Sequence, residues 1–269
     1  MVNPAFVLLP LYLYPYNDTS WSNITKSIAA NPELNYQIIV APNLENIFPD
    51  KNYEVALEGL NNFTNVVTLG YVPVSWGNRN ISTVLGEISC YAAWPNHTNP
   101  NIAVKGIFFD ETTSAMTNET FAYMNNITTF ARGALGPDRS HIAFNPGVAV
   151  DPAFYELADT INVFENDYSA FNLSVLNSTS WDLLARSTFL VHHFPYDDVL
   201  QADLINNLTD SNVGGMLITT QESYNELSNL WPEFCEELAN KNDGGDLPNG
   251  DVLPIHPEIL PPFVVETTV

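Results

Sequence analysis

Three acidic side chains of this 269-residue chain directly follow apolar runs, and such acids can carry out acid–base chemistry. Asp110 and Glu111 come after Gly-Ile-Phe-Phe at 106–109, and Glu165 comes after Val-Phe at 163–164. Hydrolysis of a glycosidic bond needs one carboxyl group that protonates the leaving oxygen and a second that stabilises the oxocarbenium-like transition state. Three acids brought together by the fold could supply both. The alternative is that they cap loops by accepting hydrogen bonds from backbone amides.

The elements that must position these acids are short apolar runs rich in Val, Ile, Phe and Tyr. Their nearly continuous hydrophobicity is typical of parallel strands buried on both faces. Longer segments of mixed polarity, which we interpret as helices, lie between them. The predicted strands are 6–14, 36–42, 65–72, 104–110, 140–145, 159–165, 188–194 and 214–219, and the predicted helices are 21–30, 52–62, 81–94, 118–135, 152–157, 171–185, 197–208 and 223–240.

Eight strand–helix pairs predict an α/β fold, a (β/α)₈ TIM barrel that forms a single domain over residues 1–240. A doubly wound open sheet is the structural alternative, but the turn at 15–18 has no glycine and no dinucleotide or P-loop motif occurs. Residues 241–269 are rich in Pro and Gly, so we expect an extended C-terminal tail there.

In such a barrel the active site lies at the carboxyl ends of the strands, so we expect all three acids to lie at the same mouth of the barrel. Aromatic side chains at the same ends suit a sugar site, because the C–H faces of a pyranose stack on them. The strand-end and loop residues that we expect to bind substrate are Tyr12, Tyr14, Asn43, Tyr71, Trp76, Asn145, His192 and Glu222.

Other reaction classes find little support in the sequence. His192 and His193 are adjacent, and neighbouring residues of a strand point to opposite faces. We therefore expect one ring to lie at the mouth of the barrel and the other to point outward. Both rings could then not bind one metal ion, so no metal site is predicted. No Gly-x-Ser-x-Gly motif of a serine hydrolase occurs, and no cofactor is predicted.

The charge of the chain restricts its partners. Eight Lys and Arg against 31 Asp and Glu give a formal net charge of -23, which repels nucleic acid and anionic lipid. No apolar run reaches the roughly 18 residues that cross a bilayer, so we expect no membrane insertion. Neutral or cationic ligands are favoured.

The sequence also indicates a secretory compartment. Ten Asn-x-Ser/Thr sequons predict a glycosylated, extracellular and monomeric protein. The apolar run Phe6–Tyr14 is interpreted as a strand rather than a signal peptide, and Cys90 and Cys235 could form one disulfide or stay as free thiols. The sequon asparagines are Asn17, Asn23, Asn62, Asn80, Asn96, Asn118, Asn126, Asn172, Asn177 and Asn207.

Five segments in order along residues 6–231 carry a resemblance to a known family. The chain resembles the spherulin-type (spherulation-specific) family of secreted fungal and slime-mould proteins, regarded as barrel glycoside hydrolases. The matching segments are 10–15 (PLYLYP), 65–72 (NVVTLGYV), 106–111 (GIFFDE), 144–147 (FNPG) and 163–165 (VFE).

The resemblance implies endo-acting hydrolysis of an α-1,4-linked, galactosamine-containing exopolysaccharide such as galactosaminogalactan. It places the family's catalytic acids on Asp110, Glu111 and Glu165. The loop at 41–46 (APNLEN) is bulkier than the family's Gly-containing loop.

Several roles are compatible with these acids. We expect Glu111 to be the general acid, Asp110 to orient it or the substrate, and Glu165 to be the second carboxylate. Alternatively, Asp110 holds a substrate acetamide that acts as the nucleophile. The alternative function is a non-catalytic, polysaccharide-binding cell-wall or spore-coat glycoprotein.

Overall fold

Eight parallel strands close into one barrel in a computed structural model, which describes residues 4–17 and 19–245. Each strand pairs with the next along the chain, and β1 pairs with β8 to close the ring. The prediction of a (β/α)₈ barrel is therefore confirmed. The strands are β1 Phe6–Leu11, β2 Tyr36–Val40, β3 Val66–Pro73, β4 Gly106–Asp110, β5 His141–Phe144, β6 Thr160–Asp167, β7 Ser187–His192 and β8 Gly215–Ile218.

Helices lie between most strands and begin at polar caps. The Asp50 carboxylate accepts hydrogen bonds from the backbone amides of Asn52 and Tyr53, and Thr117 forms a capping box with Thr120. These side chains satisfy amides that have no partner within the helix. The helices are α1 Ser22–Ala30, α2 Lys51–Asn61, α3 Ile81–Ala93, α4 Asn118–Leu135, α5 Trp181–Leu184, α6 Asp198–Asp210 and α7 Trp231–Asn242.

Three predicted helices differ from those observed. Segment 152–157 is a 3₁₀ helix, Pro152–Glu156, and segment 171–185 is the 3₁₀ helix Leu173–Ser178 followed by the single-turn α5. In the second segment Asn172 accepts a hydrogen bond from the Ser174 amide. Such bonds from short polar side chains compete with α-helix formation, so a long helix does not form there.

The third difference places a loop where the sequence predicts a helix. Residues 223–230 form turns, and α7 begins only at Trp231. Pro232 lies in the first turn of α7, where its fixed φ and missing amide are tolerated. The loop at 219–230 is thereby free to reach the mouth of the barrel.

One glycine on β3 allows the packing that positions a site residue. A Cβ on Gly70 would lie 2.7 Å from the ring of Tyr91, so only glycine allows this ring to lie on the strand. The buried Tyr91 hydroxyl donates to the backbone oxygen of Tyr71 at 3.1 Å. The end of β3 is therefore held from outside the barrel.

Three further predictions from the sequence concern the cysteines, membrane insertion and the C-terminal tail. Cys90 and Cys235 are both free thiols, and Cys235 is buried. Within residues 4–17 and 19–245, no helix is long and apolar enough to cross a membrane. The predicted tail at 241–269 lies outside the described residues from position 246 onward.

Candidate active site

One amide bridges two of the three predicted acids. Asn145 Nδ2 donates to Asp110 Oδ1 at 2.7 Å and to Glu165 Oε2 at 2.6 Å. The register of the sheet explains this meeting, because Phe109 pairs with Phe144 and Asn145 therefore follows β5 beside Asp110 on β4. Two oxygens bound to one nitrogen are at most about 5 Å apart. Asp110 and Glu165 thus form a close carboxylate pair.

Two tyrosines hold the outer oxygens of this pair. Tyr71 donates to Asp110 Oδ2 at 2.8 Å, and Tyr224 donates to Glu165 Oε1 at 2.7 Å. Every carboxylate oxygen of the pair accordingly has a hydrogen-bond donor, which fixes the orientation of both acids. Tyr224 was not predicted, since it lies in a segment whose sequence predicts a helix.

Burial makes Glu165 easier to protonate than an ordinary glutamate. Desolvation raises its pKa, and the negative charge of Asp110 adds to this effect. The hydrogen bonds from Asn145 and Tyr224 oppose the shift, but the net direction is upward. A carboxyl group whose pKa is raised keeps its proton to higher pH, as a proton donor requires.

A second layer of amides keeps Asn145 in its orientation. The side-chain amide of Asn162, inside the barrel on β6, contacts Asn145 Oδ1 at 2.8 Å. The hydroxyl of Thr188 lies 3.3 Å from the other end of the same amide. These contacts limit the rotation of the Asn145 side chain. Asn162 was not predicted either, because nothing in the sequence distinguishes it from other strand residues.

Tyr12 completes an aromatic wall. Its ring lies edge-on to Tyr71 at 5.5 Å and to Tyr224 at 5.9 Å. Burial raises its pKa well above the usual value, with further contributions from Asp110 and Glu165, so its hydroxyl stays protonated. The Tyr12 amide also donates to the backbone oxygen of Tyr224 at 3.2 Å, which ties the loop after β8 to the loop after β1.

Glu111 occupies a different position from the carboxylate pair. Its backbone adopts a left-handed conformation, φ 52°, and its carboxylate accepts from Ser75 Oγ at 3.3 Å. Trp76, also left-handed and 60% exposed, donates its amide to the Glu111 backbone oxygen. Non-glycine residues in this conformation are strained and concentrate at functional sites. Glu111 and Trp76 therefore form a rim next to the pair.

Tyr14 and Asn43 lie among the loops after β1 and β2. The Tyr14 hydroxyl donates to Asp50 Oδ2 at 3.1 Å and accepts from Asn52 at 3.2 Å, beside the start of α2. Asn43 is exposed and accepts from the Glu45 amide within its own loop. Among the hydrogen bonds of the described residues, none joins either side chain to Asp110 or Glu165.

The two histidines contradict the expectation based on strand alternation. His192 Nδ1 and His193 Nδ1 lie 2.8 Å apart, so the expectation that the rings point to opposite faces is wrong. Strand β7 ends at His192, and His193 is left-handed with φ 51°, which turns its side chain back. Asp167 lies 3.3 Å and Glu222 3.9 Å from the ring nitrogens of His193.

All ten sequon asparagines are exposed, as attachment of a glycan requires. Their glycosylation stays a prediction.

Comparisons with known proteins identify the family of this chain. The family model described as "Spherulation-specific family 4" matches residues 6–238. The crystal structure of Aspergillus clavatus Sph3 in complex with GalNAc is similar, with 30% identity, a TM-score of 0.81, and coverage of 88% of this chain and 98% of that chain. A search of curated proteins finds no match.

A more distant similarity shows the fold alone. Haloferax volcanii malate synthase, in a pyruvate/acetyl-CoA complex, has 10% identity and a TM-score of 0.54, covering 93% of this chain and 72% of that chain. The family match is far more specific, because it spans the strand ends that carry Tyr71, Asp110, Asn145 and Glu165. The chain belongs to the spherulation-specific family 4.

Proposed function

We propose that this protein is a glycoside hydrolase that cleaves an α-1,4-linked, galactosamine-containing exopolysaccharide of the galactosaminogalactan type by endo-attack. The observation that carries the proposal is the Asp110–Asn145–Glu165 bridge, with distances of 2.7 and 2.6 Å. The GalNAc bound by the similar Sph3 supports an amino sugar as the recognised unit.

The spacing of the pair favours retention of configuration. Carboxyl groups of retaining glycosidases lie about 5–5.5 Å apart, whereas inverting enzymes leave about 6.5–9.5 Å for a water molecule. The shared Asn145 donor keeps the bridged oxygens of Asp110 and Glu165 within about 5 Å. Asp110 is accordingly the nucleophile that attacks the anomeric carbon, or the group that orients a substrate acetamide for that attack.

Glu165 is the stronger candidate for the general acid. Its raised pKa, caused first by burial, favours a proton that can be given to the leaving oxygen. After departure of the leaving group, the Glu165 carboxylate takes a proton from the attacking water. The sequence-based assignment of this role to Glu111 is less favoured, because Glu111 is held by Ser75 at the rim.

Glu111 then serves substrate binding, together with the aromatic side chains. Trp76 is exposed beside Glu111, and Tyr12 lies between Tyr71 and Tyr224, so sugar units can stack along the mouth. The acidic surface, with a net charge of -23, attracts the free amines of a partly deacetylated polymer. A secreted, monomeric glycoprotein agrees with the ten exposed sequons.

Release of reducing ends from purified galactosaminogalactan tests the proposal. We expect activity in the wild type and a loss of at least about 100-fold in Glu165→Gln and Asp110→Asn, as for acids that act in the transition state. Matched controls are Glu33→Gln and Asp138→Asn, which change exposed acids near the starts of β2 and β5, at the other end of the barrel.

NMR of the first product distinguishes the mechanisms. Retention is expected, and inversion would contradict the close pair. Cleavage within fully deacetylated stretches would exclude the acetamide as nucleophile. If the wild type binds the polymer without releasing reducing ends from this or related amino-sugar polymers, the alternative of a non-catalytic binding glycoprotein holds instead.

A further inference from the structure

Three potential metal ligands converge beside the mouth of the barrel. One ring nitrogen of His192, one of His193 and a carboxylate oxygen of Asp167 lie within 4.8 Å of one another. The two nitrogens are 2.8 Å apart, and His193 Nδ1 lies 3.3 Å from Asp167 Oδ2. We call these three side chains the His–Asp cluster.

Two of these separations suit ligands of one small divalent ion. With metal–ligand bonds of about 2.0–2.2 Å, neighbouring ligands of a tetrahedral zinc ion are about 3.3 Å apart. The Asp167–His193 distance equals this value, and the His192–His193 distance is that of ligands at a right angle around an ion. Two bare Nδ1 lone pairs cannot face each other at such a distance without a proton or a cation between them.

The backbone creates the convergence. Asp167 and His192 are partners in the β6–β7 register, so they are neighbours across the sheet. The left-handed φ of His193 then returns the next side chain to the same point. Histidine is, with asparagine and aspartate, one of the non-glycine residues that adopt this conformation most often. The backbone can therefore hold the His193 ring in this position.

The surroundings orient the ligands. Asp167 Oδ1 accepts from the Ser169 amide at 2.9 Å, which leaves Oδ2 directed to the cluster. Glu222 Oε2 lies 3.9 Å from Nε2, the outer nitrogen of His193. The negative charge of Glu222 on that side attracts the ring proton to Nε2, which leaves Nδ1 available as a ligand.

We propose that the His–Asp cluster binds one divalent transition-metal ion of the zinc class. Imidazole and carboxylate are ligands that zinc accepts, and three protein ligands leave a fourth position open. Asp167 is two residues beyond Glu165 on β6 and therefore shares its face of the strand. The ion would lie next to the sugar-binding mouth, where the open position can take a hydroxyl or amine of the polymer.

Zinc titration of the full chain, without an affinity tag and after removal of metal by a chelator, tests this proposal. Calorimetry or competition with a chromophoric chelator is expected to show about one equivalent of zinc in the low micromolar range or tighter. His192→Ala and Asp167→Asn are expected to weaken binding at least tenfold. His193→Asn is the third variant, since asparagine tolerates the left-handed backbone.

His97→Ala is the matched control. His97 lies 3.2 Å from Glu54 and so forms a histidine–carboxylate pair, and no second imidazole of residues 4–17 and 19–245 contacts that pair. This variant is expected to bind zinc like the wild type. The proposal is overturned if the wild type shows no saturable binding, or if variants with wild-type circular dichroism bind zinc as the wild type does. The readout is metal binding, so it does not depend on hydrolytic activity.

Discussion

Tyr224→Phe is the most informative single substitution at the proposed catalytic pair. It deletes the hydroxyl that donates to Glu165 Oε1 at 2.7 Å and keeps the ring that packs edge-on against Tyr12. The shape of the aromatic wall is conserved, so the change acts on the Glu165 carboxyl group. Because this hydrogen bond lowers the pKa of Glu165, its loss moves that pKa further up.

The size of the effect follows from the strength of the bond. A hydrogen bond to a charged group contributes about 1.5–3 kcal/mol, and 1.36 kcal/mol corresponds to one pH unit. Since Glu165 keeps the bond from Asn145, we take the lower end of that range. The limb of the pH profile that reports Glu165 is expected to move up by about one pH unit.

The assay is kcat/KM for reducing-end release, measured against pH. If Glu165 donates the proton, its protonated form is active, and the alkaline limb moves to higher pH. If Glu165 must instead be ionised in the free enzyme, the acidic limb moves up. The direction therefore distinguishes the proposed role from that of a nucleophile.

Tyr155→Phe is the control for this experiment. This substitution removes a buried hydrogen bond of 2.6 Å between Tyr155 and Ser187. Ser187 lies at the start of β7 and thus at the opposite end of the barrel. Its pH profile is expected to match that of the wild type. An unchanged profile in Tyr224→Phe, or an equal shift in Tyr155→Phe, would contradict a direct effect of the Tyr224 hydroxyl on Glu165.

Three further predictions concern stability and charge. Burial, together with repulsion from nearby acids, raises the pKa of Glu237 to about 7. The protonated side chain therefore contributes to stability at low pH, and this contribution is lost as the pH rises toward 7. In urea unfolding, Glu237→Gln is expected to stabilise the fold by about 1 kcal/mol at pH 8, after allowance for screening, and by little at pH 4, with Glu33→Gln as the control. Gly70→Ala places a Cβ 2.7 Å from the Tyr91 ring and is expected to destabilise the fold by about 1–3 kcal/mol. Gly59→Ala adds a methyl group where there is free space and is expected to stabilise α2 by up to about 1 kcal/mol in the same measurement. KM for deacetylated polymer is expected to rise with salt concentration, and a salt-independent KM would contradict attraction by the net charge of -23.

Much of the fold and part of the site could be predicted from the pattern of residues. Strands buried on both faces are nearly continuous apolar runs, so their number and order indicated a barrel. The rule that strand ends meet at one mouth then brought Tyr71, Asp110, Asn145 and Glu165 into one group. The structure adds the hydrogen bonds that join these four side chains.

The residues that sequence reasoning missed depend on contacts between distant segments. Tyr224 reaches Glu165 because residues 223–230 form a loop instead of a helix, and helix and loop have similar local patterns there. Asn162 supports Asn145 through the pairing of β5 and β6, which no single segment encodes. Neither residue carries a local signal of its role.

The architecture, the acidic charge and the location of the three acids at strand ends could all be predicted from the sequence, because hydrophobic periodicity and strand order are properties of the chain. How those groups meet depends on the tertiary structure. Asn145 bridges Asp110 and Glu165 because strand register sets their spacing, and His193 joins His192 because one backbone angle reverses the alternation of a strand. Distances of a few ångströms between remote residues arise from closure of the barrel, and local sequence does not contain them.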